Sequence, residues 1–277
     1  MPTSIAILLL ASILAACAPI PPLAERRARA DALAAGPGWR AELIAAGEFD
    51  LLAYTPQHIR QNTRLTVYIE GDGFAWVSRS MPSADPTPRE PLALRLALKQ
   101  QAGNAVYLGR PCQYVDAERT ACPERYWQEA RFAPEVVAAS SKAIDVLKER
   151  FAATRLTLVG YSGGAAVAAL LAARRNDVER LITVAGNLDH RAWTNHHRVT
   201  PLTASLNPAD ETAKLQAVQQ WHFVGGDDRV IPASLVMAYA EHFPPSQRPT
   251  VTVIPGFTHQ CCWEGDWQRL WRTIIDP

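Results

Sequence analysis

Ser162 stands in the run Gly160-Tyr161-Ser162-Gly163-Gly164, between the apolar stretch Leu156–Val159 and an alanine-rich stretch that starts at Gly163. That setting suits a nucleophile. A tight strand-to-helix turn projects the hydroxyl from the sheet edge, glycines on both sides let backbone and helix approach closely, and the helix N-terminus favours negative charge. A serine hydroxyl is a poor nucleophile until a base takes its proton. Among seven histidines, His259 has the right place, just after the apolar run Val251–Ile254 and the short turn Pro255-Gly256-Phe257-Thr258. His222 lies inside an apolar run, His190, His196 and His197 fall in a long irregular stretch, His58 precedes the core pattern and His242 ends a helical one. The base needs a carboxylate to fix its tautomer and balance its cation. The turn Gly225-Gly226-Asp227-Asp228-Arg229-Val230-Ile231-Pro232, after the run Trp221–Val224, supplies Asp228, with Asp227 as its competitor. A histidine base works only when neutral, so activity is expected to fall below roughly pH 6–7.

Such residues must be carried by elements that end together. Strands are expected at Leu51–Tyr54, Leu65–Ile69, Ala105–Leu108, Leu156–Val159, Leu181–Val184, Trp221–Val224 and Val251–Ile254, where β-branched and apolar residues cluster. Helices are expected at Pro91–Gln100, from Pro134 onward, from Gly163 to about Arg175, at Ala233–His242 and at Trp263–Ile275. Four prolines with Ser and Asp make 77–91 an ordered loop, and 110–133 and the stretch from Gly186 to about 212 read as irregular. Alternation of this kind specifies an α/β protein, a mostly parallel sheet with helices on both faces. Ligands bind such sheets beyond the carboxyl ends of the strands, where Ser162, Asp228 and His259 all fall.

Gly160–Gly164, then Gly225-x-x-Asp228 leading to Ile231-Pro232, then His259 resemble the α/β-hydrolase family, whose chain order is Ser, Asp, His. The resemblance covers most of residues 50 to 275. It implies an α/β-hydrolase fold and hydrolysis of an ester or thioester through an acyl-enzyme, with no metal or organic cofactor. It also implies an oxyanion hole built from the N–H of Gly163 and one from the turn Glu70-Gly71-Asp72-Gly73, taken as that of Asp72. Many members have His where this chain has Glu70. A carboxylate beside a developing oxyanion is unfavourable, so the Asp72 side chain must point away or bind something else. Trp76, Tyr114, Tyr126 and Trp127 either line an acyl or aryl pocket or pack beneath the loops. The Gly186–Asp210 stretch lies where this fold often inserts a lid and is too short for a large cap. Two rivals share the scaffold: an acyltransferase or peptidase, and a noncatalytic envelope lipoprotein that binds without reacting.

The 277 residues carry a formal net charge of +1, which argues against a nucleic-acid partner, since those proteins present a basic face. No run reaches the roughly 20 apolar residues of a membrane span. The apolar run Ile5–Ala16 ends in Leu14-Ala15-Ala16-Cys17 and resembles a bacterial lipobox, although no basic residue precedes it; a plain secretory signal is the alternative. A signal peptide is therefore expected at 1–16 and a tether at 17–35, lipidated at Cys17, with the hydrolase domain at 36–277. Ala18, in place of an aspartate, points to the periplasmic face of the outer membrane. The expected partners are the membrane, through the anchor, and a small-molecule or lipid-like ester. An exported chain forms disulfides. Cys112–Cys122, closing a short loop, is favoured and would contribute on the order of 2–3 kcal/mol. Adjacent Cys261 and Cys262 have Cα atoms ~3.8 Å apart, closer than a relaxed disulfide prefers. A metal site fails on spacing, because no second Cys-x-x-Cys or His pair completes a tetrahedral shell.

Overall fold

The computed structural model describes residues 20–60, 62–116 and 122–275. Cys17 and the segment before it lie outside the described residues.

Among the described residues there are ten strands: β1 (Trp39–Ala46), β2 (Phe49–Pro56), β3 (Arg64–Ile69), β4 (Trp76–Ser78), β5 (Met81–Pro82), β6 (Asn104–Leu108), β7 (Arg155–Tyr161), β8 (Val178–Val184), β9 (Gln219–Gly225) and β10 (Thr250–Ile254). Eight of them form one sheet in the order β1-β2-β6-β3-β7-β8-β9-β10, and β4 and β5 make a separate two-stranded ribbon. From β6 to β10 the main sheet is parallel; β2 pairs antiparallel with β6, and β1 antiparallel with β2.

Near-continuous apolar strands are what a sheet covered on both faces requires. In β3, Leu65, Val67 and Ile69 enter one hydrophobic cluster and Tyr68 the other; in β7, Leu156 and Leu158 oppose Val159 and Tyr161. The helices are α1 (Leu23–Ala35), α2 (Leu92–Lys99), α3 (Pro134–Arg150), α4 (Gly163–Ala172), α5 (His190–His197), α6 (Thr212–Leu215), α7 (Ala233–Glu241) and α8 (Trp263–Ile275). Residues of α3, α4 and α7 fill the first cluster, and residues of α1, α2 and α8 the second. On α8, Trp263, Trp267, Leu270 and Ile274 recur at helical spacing and are buried, and the Trp267 indole N–H donates to the Tyr68 hydroxyl at 3.1 Å.

Several elements depart from the expectation, among them β4 and β5, which pair as a ribbon at the start of the 77–91 stretch expected to be a loop. Residues 23–35, expected as tether, form α1. Its Ala30 and Ala34 are buried one turn apart, and its buried Arg26 pairs with Asp85 at 2.6 Å and reaches the Thr87 carbonyl. β1 precedes the first expected strand as the edge of the sheet, where alanines and half-covered polar residues leave little alternation to read. The 186–212 stretch contains α5, which has no apolar period. Its one readable signal is the Asp189 N-cap, which accepts the N–H groups of Arg191 and Ala192 at 3.0 and 3.1 Å.

Candidate active site

β7 delivers Ser162 and α4 begins one residue later. Ser162 has φ 51° and ψ −119°, outside the relaxed regions for a residue with a side chain. The turn holds because its N–H donates to Val184 O at 3.0 Å, while its carbonyl accepts from Asn187 and Ala165. The glycines after it are a steric necessity. A Cβ at Gly164 would run into the carbonyl oxygens of Ile69 and Glu70, and one at Gly163 into the Asp72 carboxylate.

The ends of β9 and β10 bring His259 and Asp228 to this turn. His259 Nε2 lies 3.0 Å from Ser162 Oγ, and His259 Nδ1 lies 2.9 Å from Asp228 Oδ2. The other Asp228 oxygen accepts the N–H groups of Val230 and Ile231, each at 2.8 Å, and the carboxylate is buried. That bonding leaves its second oxygen aimed at the histidine. Asp227 is exposed, and its N–H donates to Phe257 O. The two carboxylates left open by the sequence thus divide: Asp228 meets His259 and Asp227 faces solvent. The His259 carbonyl is held from two sides, by the Tyr161 hydroxyl at 3.2 Å and the Trp263 indole N–H at 3.2 Å.

On the other side of Ser162 lies the turn after β3. A Cβ on Gly71 would come within 3.2 Å of Ser162 Cβ, so this turn touches the serine. Gly163 is the first residue of α4, where an N–H lacks an intrahelical partner. The Asp72 carboxylate does bind something else: Arg131 Nη1 at 2.8 Å and Arg110 Nη1 at 3.3 Å. Both arginines are buried; Arg110 stacks over Phe132 at 5.4 Å and also donates to the Arg131 carbonyl. Burial pushes the Arg110 guanidinium below its usual range, and the Asp72 charge opposes that shift. Two guanidinium groups against one carboxylate leave this cluster with one net positive charge beside the serine. No local pattern announces Arg110 and Arg131; they lie in the stretch read as irregular, 38 and 59 residues from Asp72.

Glu70, where the family often has His, is fully covered, and its Oε1 accepts the Gly71 N–H at 2.9 Å. Burial pushes its carboxyl up to about 7, against the pull of the Gly71 and Ala93 N–H groups, the Tyr107 hydroxyl and the Leu94 N–H. Ala93 and Leu94 belong to the first turn of α2, so the buried carboxyl lies near a helix N-terminus. Of the other histidines, His222 is buried in β9 with Nδ1 2.8 Å from Thr183 Oγ1, and burial drives its pKa down to about 3. It is a neutral core residue.

The aromatic residues separate as well. Tyr114 and Trp127 are buried and Tyr126 packs edge-on against Phe49, whereas Trp76 is 38% exposed. Cys112 and Cys122 are disulfide-bonded with Cα atoms 5.5 Å apart. Cys261 and Cys262, the disfavoured pair, are bonded too, with Cα atoms 3.7 Å apart. Cys262 takes φ 84°, a left-handed turn that accompanies the closing of adjacent residues. Among the described residues no helix is long and apolar enough to cross a membrane.

Residues 92–259 match the family model described as serine hydrolase (FSH1), a span that ends on His259 and contains Ser162 and Asp228. No curated protein matches the chain in sequence. Among solved structures, Est1E from Butyrivibrio proteoclasticus is similar with a TM-score of 0.60 at 14% identity, over 85% of this chain and 98% of that one. An alpha-beta serine hydrolase homologue from Coxiella burnetii is similar at 0.56 and 16% identity, over 85% and 95%. XC6422 from Xanthomonas campestris, described as a serine hydrolase without a lid, is similar at 0.54 and 14% identity, over 86% and 96%. At these identities the likeness establishes the α/β-hydrolase fold alone.

Proposed function

The chain belongs to the serine hydrolase (FSH1) family, and from that premise we propose that it cleaves a carboxylic ester or thioester at Ser162 through an acyl-enzyme. The observation that carries this reading is the unbroken line from Asp228 Oδ2 to His259 Nδ1 at 2.9 Å and from His259 Nε2 to Ser162 Oγ at 3.0 Å. In this mechanism His259 takes the Ser162 proton as Oγ attacks the carbonyl carbon, and Asp228 balances the imidazolium. The carbonyl oxygen becomes an anion held by the N–H groups of Gly163 and Asp72, in the field of the positive Arg110–Asp72–Arg131 cluster. Collapse expels the alcohol or thiol, which receives the proton from His259. Water, deprotonated by the same histidine, then releases the acid.

The test is labelling of the purified domain by a fluorophosphonate, together with hydrolysis of 4-nitrophenyl butyrate. Both should be present in the wild type and lost in Ser162→Ala. A folded wild type that does neither would return the chain to the noncatalytic scaffold reading. We also propose that Cys17 is acylated, as the lipobox-like run suggests. Cells fed radiolabelled palmitate should label the wild type and leave Cys17→Ser unlabelled.

A further inference from the structure

A cleft of about 730 Å³ lies beside the site, a size suited to a small organic ligand. Its place follows from what borders it. Val230, on one wall, donates its N–H to Asp228, and Arg131, on another, is bonded to Asp72. The cleft therefore borders the Asp228 turn through Val230 and the Asp72 turn through Arg131, and at Val230 it meets the pocket lined by Asp228 and His259. This inference rests on the reading of Ser162 as the reacting group and concerns what that serine acts upon.

The lining has two chemistries. Trp76, Trp193, Leu202 and Val230 make flat and branched apolar walls. Trp193 is fixed in place, because its indole N–H donates to the Val230 carbonyl at 2.8 Å and its ring packs on His197 at 5.2 Å. The second component is cationic. Arg79 and Arg198 join Arg131 around the cleft, and the one acidic lining residue is Glu129. Arg131 already serves Asp72. Among the described residues Arg79 and Arg198 form no ion pair; Arg79 reaches only the His197 carbonyl, at 3.4 Å. Two guanidinium groups left open on an apolar cleft suit a planar anion, which such groups bind through paired charge-assisted hydrogen bonds.

We propose that the cleft selects esters bearing both an aromatic or branched apolar body and a carboxylate, with Trp76 and Trp193 holding the body and Arg79 and Arg198 the carboxylate. The ester carbonyl then sits at Ser162 and the second, free carboxylate at the far rim.

The probe pair is 4-phenylbutyrate and its neutral amide, 4-phenylbutanamide, each tested for slowing the fluorophosphonate labelling of Ser162. The acid should half-protect at a concentration at least about tenfold lower than the amide, and added salt should narrow that gap, since the arginines are exposed. In the double variant Arg79→Gln/Arg198→Gln the acid should lose its advantage and the two compounds should protect alike. Equal protection by acid and amide in the wild type, or an unchanged gap in the double variant, overturns the proposal. If the wild type fails to label, the hydrolase reading fails instead. The cleft is then read by tryptophan fluorescence quenching with the same two compounds, where the same tenfold preference and its loss in the double variant support the anion site and their absence overturns it.

Discussion

The two sides of Ser162 hold their carboxylates by opposite means. Asp228 is buried and held by two backbone N–H groups of its own turn, with one oxygen left to orient His259. Asp72 is held by two buried arginines from distant parts of the chain, which outweigh its charge. Under the proposed mechanism the difference follows from what each side must tolerate. A base becomes cationic during the reaction and gains from an intact negative charge beside it. An oxyanion hole receives a negative charge and is hurt by a bare carboxylate. The same side-chain type is therefore left charged and available on one side and cancelled on the other.

The largest expected effect tests the first side. Asp228→Asn should lower kcat by about 10⁴ with little change in the thermal midpoint, because an amide keeps the shape but favours the wrong tautomer of His259; steady-state ester hydrolysis measures it. A fall of less than tenfold would put the orienting role elsewhere. The second side is tested by a cycle. Arg131→Gln should lower kcat by roughly 10–10², because half the compensation for Asp72 is gone. Adding Asp72→Asn should restore most of that loss, as expected for two groups in one network. A double variant as slow as the single one would mean that Arg131 acts by packing rather than by charge.

A smaller effect concerns the residue behind the oxyanion turn. The Glu70 carboxyl lies at about 7 in the folded protein against 4.5 ordinarily. Between those values the unfolded chain has lost the proton that the folded one keeps. The stability Glu70 contributes is thus complete below pH 4.5 and lost as the pH rises through 7, by roughly 3 kcal/mol. Urea midpoints at pH 5 and pH 8 should show a drop attributable to this group, and Glu70→Gln should flatten it. The smallest effect is the control for the comparison. Asp227→Asn should leave kcat within about twofold of wild type, since its side chain faces solvent. A large loss there would reverse the assignment of the two neighbouring aspartates.

Much of this was legible in the sequence. Strand runs such as Leu65–Ile69 and Leu181–Val184 lie within the observed strands, and the elbow at Ser162 announces itself through glycines that only a crowded turn requires. What was hidden had no local pattern. α5 lacks an apolar face to read, β1 is an edge strand, and α1 docks through a buried arginine in a segment whose composition suggests a tether. Arg110 and Arg131 are ordinary residues in a stretch without regular structure, and their meaning exists only opposite Asp72.

By itself the sequence determined the alternation of strands and helices and the order in which Ser162, Asp228 and His259 reach the sheet edge, because periodicity and turn chemistry are local properties of a chain. Tertiary structure alone decided which of two adjacent aspartates meets the histidine, what neutralises Asp72, and which aromatic side chain faces the cleft. Those outcomes depend on a side chain's direction and on charges brought together from far along the chain, and neither is written in the spacing of residues.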